Sequence, residues 1–177
     1  MFKKIQPKKI MIIGCAGSGK TTLAFKLQEE LNLPLIHLDQ HYWKPNWQRS
    51  SLDDFTQIHD ELCWQDTWIM EGSYMKLIGR RAAHADVIIF LDMPRYLCLW
   101  RVIKRSVCNF GKVIPGNSQD CPQQLFSFEF LQFLKWIWNF NRRYKAMIMD
   151  MLEMSKDSKD VHILISSKDV DEFYKNL

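Results

Sequence analysis

Residues 14 to 21 read Gly14, Cys15, Ala16, Gly17, Ser18, Gly19, Lys20, Thr21, the spacing G-x-x-x-x-G-K-S/T. The chemistry that this spacing serves is phosphate binding. Glycines let the backbone turn with its N–H groups pointing inward, a following helix adds the positive end of its dipole, and Lys20 places a point charge on the β and γ phosphates. The Thr21 hydroxyl suits Mg²⁺. The expected nucleotide contacts are therefore Gly14, Ala16, Gly17, Ser18, Gly19, Lys20, Thr21 and Thr22, with ATP as the ligand and Thr21 on the metal. Cys15 occupies a variable position of the loop, where a small side chain is all the geometry asks.

Three carboxylates follow short apolar runs: Asp39, Glu71 and Asp92. In sheets that carry a P-loop, ligands collect outside the carboxyl ends of the strands. Asp39, in His37-Leu38-Asp39, is the candidate general base, able to orient an acceptor hydroxyl and accept its proton. Glu71, followed by Gly72, is the candidate second metal residue, acting through water. Asp92 precedes Met93, Pro94 and Arg95 and suits a helix cap there better than a metal role. His37 and His41 flank Asp39 without a second ligand cluster and read as satisfied polar side chains.

Cations that could stabilise a transferring phosphoryl group lie further on. Arg101 and Arg105 stand four apart and share one helix face, with Lys104 beside it. Arg142, Arg143 and Lys145 come after an irregular stretch whose closure could bring cations onto the phosphate and exclude water. Arg101, Arg105 and Arg142 are the candidates for that role, alongside Lys20 and Asp39. Tyr42, Trp43, Trp47 and Tyr74 are candidates to wall the acceptor side with flat apolar rings, although such residues also fill cores. Trp136 and Trp138 read as helix packing.

The elements that must position these residues follow from periodicity. Apolar, β-branched runs at Ile10 to Gly14, Leu35 to Leu38, Trp68 to Met70, Val87 to Leu91 and Val161 to Ile165 predict strands buried on both faces. Helical spacing covers Thr21 to Leu31, Leu52 to Trp64, Arg95 to Val107 and Phe126 to Met154, the last expected to break or kink. Strand alternating with helix predicts an α/β fold with a parallel sheet. Residues 109 to 124, with Gly111, Pro115, Gly116 and Pro122, lack periodicity and read as a mobile loop.

Composition sets the outer bounds. A chain of 177 residues with 47% hydrophobic content fits one domain with a packed core, here residues 1–177 with a lid or insert at about 106–125. The net charge of +4 does not demand nucleic acid, and neither aromatic interleaving nor a helix-turn-helix signature accompanies the arginines. Five cysteines, an odd number without a C-x-x-C pair, signal neither a disulfide framework nor zinc, and a reducing cytoplasmic compartment fits best. The apolar run at Ile10 to Ile13 is far too short for a membrane span or a signal segment.

At these residues the chain resembles the adenylate-kinase-related P-loop kinases, and more closely the small bacterial DNA topology modulation proteins. Beyond the P-loop the likeness rests on HLDQHYWKPNW at 37–47, WIMEGSY at 68–74, VIIFLDMPRYLCLWRVIKR at 87–105 and FLKWIWNFNRR at 133–143. It implies a P-loop NTPase fold, a three-layer α/β/α arrangement around a five-stranded parallel sheet in the order 2-3-1-4-5, with a phosphate-covering lid. It also implies ATP with Mg²⁺, arginines before and after the lid at Arg101, Arg105, Arg142 and Arg143, and adenine near Ser167 to Val170. The family more usually has aspartate at the position of Glu71 and asparagine at that of Ser73. Nucleoside monophosphate kinases follow their Asp-Gly with an arginine for the acceptor phosphate; here Ser73, Tyr74 and Met75 follow Gly72, which implies an uncharged acceptor. Two functions stay open at this point: a kinase acting on a nucleoside-like or other small hydroxyl acceptor, and a non-kinase ATP-binding regulator that affects DNA topology. A GTP switch would need an N-K-x-D motif, which the sequence lacks.

Overall fold

The computed structural model describes residues 7–176; residues 1–6 and 177, which the sequence reading included in the domain, lie outside the described residues. In chain order the elements are β1 (Lys9–Gly14), α1 (Lys20–Leu31), β2 (Leu35–His37), α2 (Leu38–Tyr42), β3 (Trp43–Lys44), β4 (Gln48–Arg49), α3 (Leu52–Trp64), β5 (Trp68–Glu71), α4 (Ile78–His84), β6 (Val87–Leu91), α5 (Arg95–Cys108), α6 (Phe128–Ser155), β7 (Asp160–Leu164) and α7 (Ser167–Lys175). Five strands form one parallel sheet in the order β2-β5-β1-β6-β7. Counting those five alone, the order is 2-3-1-4-5, as the resemblance implied.

This order has a physical cause. The glycine-rich turn sends the chain from the centre of the sheet, β1, through α1 to the far edge, β2, and every later crossover moves back across the sheet. Right-handed crossovers then put α1 on one face and α3, α4 and α6 on the other. Side chains agree: Tyr174 of α7 meets Glu30 and Lys26 of α1, while Arg80 of α4 meets Asp60 of α3. The result is a three-layer α/β/α P-loop fold. Central strands covered on both faces must be apolar throughout, and Met11, Ile12, Ile13, Ile88, Ile89 and Phe90 are all fully buried.

Local rules set the helix ends. Asn32 closes α1 in the left-handed conformation, Ser51 accepts from the Asp54 N–H at the start of α3, and Ser166 with Asp169 forms a capping box on α7. The sequence expected a break in the long C-terminal helix, but α6 runs unbroken for 28 residues. Neither proline nor glycine occurs between Phe128 and Ser155, so nothing interrupts its hydrogen-bond ladder. The second strand also ends earlier than expected: β2 stops at His37, and Asp39 sits in the first turn of α2.

Residues 109 to 124 are not the free loop that their composition suggested. Gly111 N–H donates to the Gln123 carbonyl at 3.0 Å, Gln123 N–H to the Lys112 carbonyl at 2.9 Å, and Ser106 Oγ to Gln123 Oε1 at 3.2 Å. These bonds close the neck of the loop. Its far side is held to the β3–β4 hairpin by Asn46 N–H on the Asp120 carbonyl (3.0 Å) and Trp47 Nε1 on the Pro122 carbonyl (2.8 Å). Glycine and proline patterns report backbone freedom and say nothing of such long-range contacts. Among the described residues no helix is long and apolar enough to cross a membrane.

Candidate functional site

The turn after β1 needs its glycines. Gly14, Gly17 and Gly19 have φ of 150°, 80° and 106°, and a Cβ on Gly17 would lie 2.3 Å from the Cys98 carbonyl oxygen. Only glycine reaches that backbone without a clash. Inside the turn, Lys20 Nζ donates to the Cys15 carbonyl at 3.1 Å, and the buried Ser18 hydroxyl has no hydrogen-bond partner among the described residues. A cradle built this way, with an ammonium group and a hydroxyl committed to no other side chain, fits a phosphate chain. Arg101 of α5 spans the rim, donating to the Gly17 and Ser18 carbonyls at 3.5 and 3.2 Å and to Ser167 Oγ at 3.2 Å. Beside it lies a cavity of about 320 Å³ lined by Ser18, Gly19, Thr22, Arg101, Ser167 and Val170, among others. It runs from the cradle to the start of α7, the stretch for which the resemblance implied adenine.

Glu71 closes β5, 5% exposed, where the strand register places it beside Ile12 of β1 and His37 of β2. Its Oε1 accepts from Thr21 Oγ1 at 3.0 Å and from His37 Nδ1 at 2.9 Å. Burial pushes this carboxyl up, but the His37 hydrogen bond, the Lys20 charge and the Thr21 hydroxyl outweigh it and hold Glu71 below the usual carboxylate range. Glu71 is thus an anion at neutral pH, joined to the threonine that ends the P-loop. Thr21 and Glu71 therefore suit Mg²⁺, an ion that takes few protein ligands besides phosphate and water.

Asp39 lies in the first turn of α2, near enough to Glu71 for the two charges to interact. Tyr74 donates its hydroxyl to Asp39 Oδ1 at 2.5 Å. Burial and the neighbouring Glu71 charge push the Asp39 carboxyl above its ordinary value, against the Tyr74 bond and the charges of Lys20 and Arg105. Arg105, one turn along α5 from Arg101, has its Nε buried without a hydrogen-bond partner among the described residues; burial lowers its affinity for a proton, and the two carboxylates oppose that. Around Asp39 stand the aromatic rings: Tyr42 lies 5.0 Å from Phe55 and 4.9 Å from both Trp43 and Tyr74, centroid to centroid, and Trp43 lies 5.4 Å from Trp47. The closed loop reaches Thr21 and His37, the partners of Glu71. A Cβ on Gly116 would stand 3.1 Å from Thr21 Cγ2 and 3.2 Å from His37 Nδ1.

The structure thus brings together the P-loop, Asp39, Glu71, Arg101 and Arg105. The three cations after the loop are dispersed instead. Arg142 is exposed and makes no side-chain hydrogen bond or ion pair with the cradle among the described residues, and Arg143 lines a groove between α4 and α6. Lys145 pairs with Asp92 at 2.6 Å, and Asn141 Nδ2 donates to the same carboxylate at 3.1 Å. Asp92 therefore does not cap α5, whose N-cap is Pro94 with no side-chain cap bond. Proline fixes φ there, so no acid is required.

Two contacts escaped sequence reasoning. Ser73 Oγ donates to the Gly14 carbonyl at 2.5 Å, tying β5 to the P-loop. Arg81 of α4, fully buried, donates from Nη2 to the Gly72 carbonyl at 2.7 Å. Its burial lowers its pKa to about 10. Both brace the turn from Glu71 to Tyr74. An arginine in IGRRAAH carries no local signal of burial, because its partner is a backbone carbonyl nine residues away.

No family model matches the chain, and no curated protein matches it. Solved structures do. A shikimate kinase from Acinetobacter baumannii in complex with shikimate superimposes with a TM-score of 0.56 at 14% identity, covering 96% of this chain and 89% of that one. A gluconokinase from Sinorhizobium meliloti 1021 gives 0.51 at 14% identity over 97% and 95% of the two chains. A deoxyadenosine kinase from M. mycoides with bound dATP gives 0.51 at 14% over 96% and 97%. At this identity the likeness establishes a kinase-like P-loop fold.

Proposed function

We propose that the chain is an ATP-dependent small-molecule kinase that transfers the γ-phosphoryl group to a nucleoside-like or other small hydroxyl acceptor. One observation supports it above the rest: a carboxyl group of raised pKa, Asp39, is held by Tyr74 at the mouth of a phosphate cradle, between Lys20 and Arg105. A protein that only bound ATP, without transferring its phosphoryl group to a hydroxyl or to water, would have no use for a base there.

In this reading the main-chain amides of residues 14 to 20 and the Lys20 ammonium hold the phosphates. Thr21 and Glu71 hold Mg²⁺, with His37 orienting the Glu71 carboxylate. Bound Mg·ATP supplies the phosphoryl group and a neutralising charge. Asp39 accepts the proton of the attacking hydroxyl at Oδ2, while Tyr74 keeps Oδ1 fixed. Arg101 and Arg105 stabilise charge on the transferring group, a role for which exposed Arg142 is not placed. The loop at 109–124 acts as a lid that excludes water, the aromatic group walls the acceptor, and adenine occupies the cavity between Arg101 and Val170. The chain works as one domain in the cytoplasm, and kinship with the DNA topology modulation proteins is part of the reading.

The test is to incubate the protein with Mg²⁺ and ATP against a panel of nucleosides, nucleotides, sugars and vitamins, following ADP release with and without each. Acceptor-dependent release is expected. If no acceptor raises release while DNA changes ATP affinity, the kinase reading gives way to a regulator of DNA topology.

A further inference from the structure

Between α4 and α6 runs an open groove of about 710 Å³. Its α4 side consists of Gly79, Ala82 and Ala83, and its α6 side includes Ala146, Met147 and Met154. Met147 is 40% exposed and Met154 86% exposed. Pliable thioethers over a floor of small residues form a surface that another protein can repack against.

Two charges bracket the α6 side. Arg143 and Asp150 both line the groove, both are exposed, and neither side chain makes a hydrogen bond or ion pair among the described residues. The third charged residue of the lining, Lys159, is committed to the Ala83 and Ala85 carbonyls at 3.1 and 2.7 Å, so Arg143 and Asp150 are the groove's charges left without a partner among the described residues. They are seven residues apart, two helical turns, or about 10 Å along the axis.

That spacing is self-complementary. A two-fold axis crossing α6 midway, beside Ala146 and Met147, runs a second α6 antiparallel to the first. The operation sets Arg143 of each copy opposite Asp150 of the other, so one symmetry element satisfies both charges twice. Ala146 lies at the crossing, where a small side chain lets the helices approach, and the methionines of both copies fill the space on either side. A uniformly acidic or uniformly basic partner would instead meet one of the two charges with like sign.

We propose that this groove receives a second copy of the chain, packed α6 against antiparallel α6. The test is sedimentation velocity over a concentration series of the full chain. A reversible dimer is expected, weakened at high salt. Arg143→Asp and Asp150→Arg, each alone, place like charges at both contacts and are expected to raise the dimer dissociation constant by at least about tenfold, some 1.4 kcal/mol. An equimolar mixture of the two single variants should recover association, because a mixed pair regains both opposite-charge contacts. That recovery also shows that each variant is folded. A monomer at every concentration, an oligomer indifferent to both substitutions, or a mixture that associates no better than its components would overturn the proposal.

Discussion

The cradle and the acceptor rim meet at one site, yet they are built differently. Around the phosphate position, left-handed backbone falls on Gly14, Gly17 and Gly19, where it costs little. On the acceptor rim it falls on Asn46 and Trp47, each with φ 59°, and on Tyr74 with φ 27°. For residues with a Cβ such backbone costs about 1–3 kcal/mol each and persists only when surroundings impose it. Those surroundings are visible: the Pro122 carbonyl holds Trp47, and Asp39 holds Tyr74. A cradle relaxed on glycines keeps its shape without outside help, whereas a rim held in strain by side-chain contacts depends on those contacts for its shape.

The widest separation between the two regions should come from Asp39→Asn. It removes the proposed base and leaves the cradle intact, so turnover is expected to fall by about 10²–10⁴ while ATP affinity, measured by calorimetry, stays unchanged. Stability should hold or rise. Burial raises the Asp39 carboxyl above its unfolded value, so the folded state binds the extra proton, and stability falls as pH climbs from the unfolded to the folded value. At neutral pH the ionised group costs stability that asparagine does not. A variant that melts higher yet turns over normally would remove Asp39 from the chemistry. Lys20→Ala is the converse: a loss of about 10²–10³ in turnover, accompanied by weakened ATP binding. Unchanged calorimetric affinity in that variant would show that the amides alone carry the phosphates.

The same contrast explains what could be read in the sequence. The P-loop was legible because its spacing encodes its backbone, and the central strands because burial on both faces leaves continuous apolar runs at Met11 to Ile13 and Ile88 to Phe90. The edge strand β7, expected to be buried on both faces, buries only Leu164 and leaves Ile163 exposed, because no strand among the described residues flanks it on its outer edge. Asp39, Glu71, Arg101 and Arg105 could be picked out as candidates by type and place, although Asp39 lies in the first turn of α2 and not at the end of a strand. What stayed hidden depends on distant partners: Arg81 on Gly72, Ser73 on Gly14, and the loop neck at Gln123. Arg142, Arg143 and Lys145 looked like one group because they are neighbours in sequence. On a helix, positions one apart point about 100° away from each other, and α6 sends Arg143 to the groove with α4 and Lys145 to Asp92.

Tyr74→Phe probes the rim with a smaller effect. It removes one hydrogen bond to a charged group, worth about 1.5–3 kcal/mol, and with it a contact that lowers the Asp39 pKa. The acid limb of the kcat profile should therefore move to higher pH, because Asp39 takes up its proton sooner as pH falls. An acid limb that keeps its position would mean that a group other than Asp39 sets it.

The mildest test is Trp47→Phe. Phenylalanine keeps an aromatic ring against Trp43 but cannot donate to the Pro122 carbonyl, which Trp47 Nε1 meets at 2.8 Å. The loss is one neutral hydrogen bond, about 0.5–1.5 kcal/mol, and it falls on the contact between lid and hairpin. KM for the acceptor should rise a few-fold while ATP affinity is untouched, since among the described residues neither Trp47 nor Pro122 makes a hydrogen bond or ring contact with the P-loop. Proteolysis should begin within residues 109–124 sooner than in the parent, as those residues open more often without the latch. If ATP affinity falls in step with acceptor affinity, the two regions are coupled through the lid and the separation drawn between them does not hold.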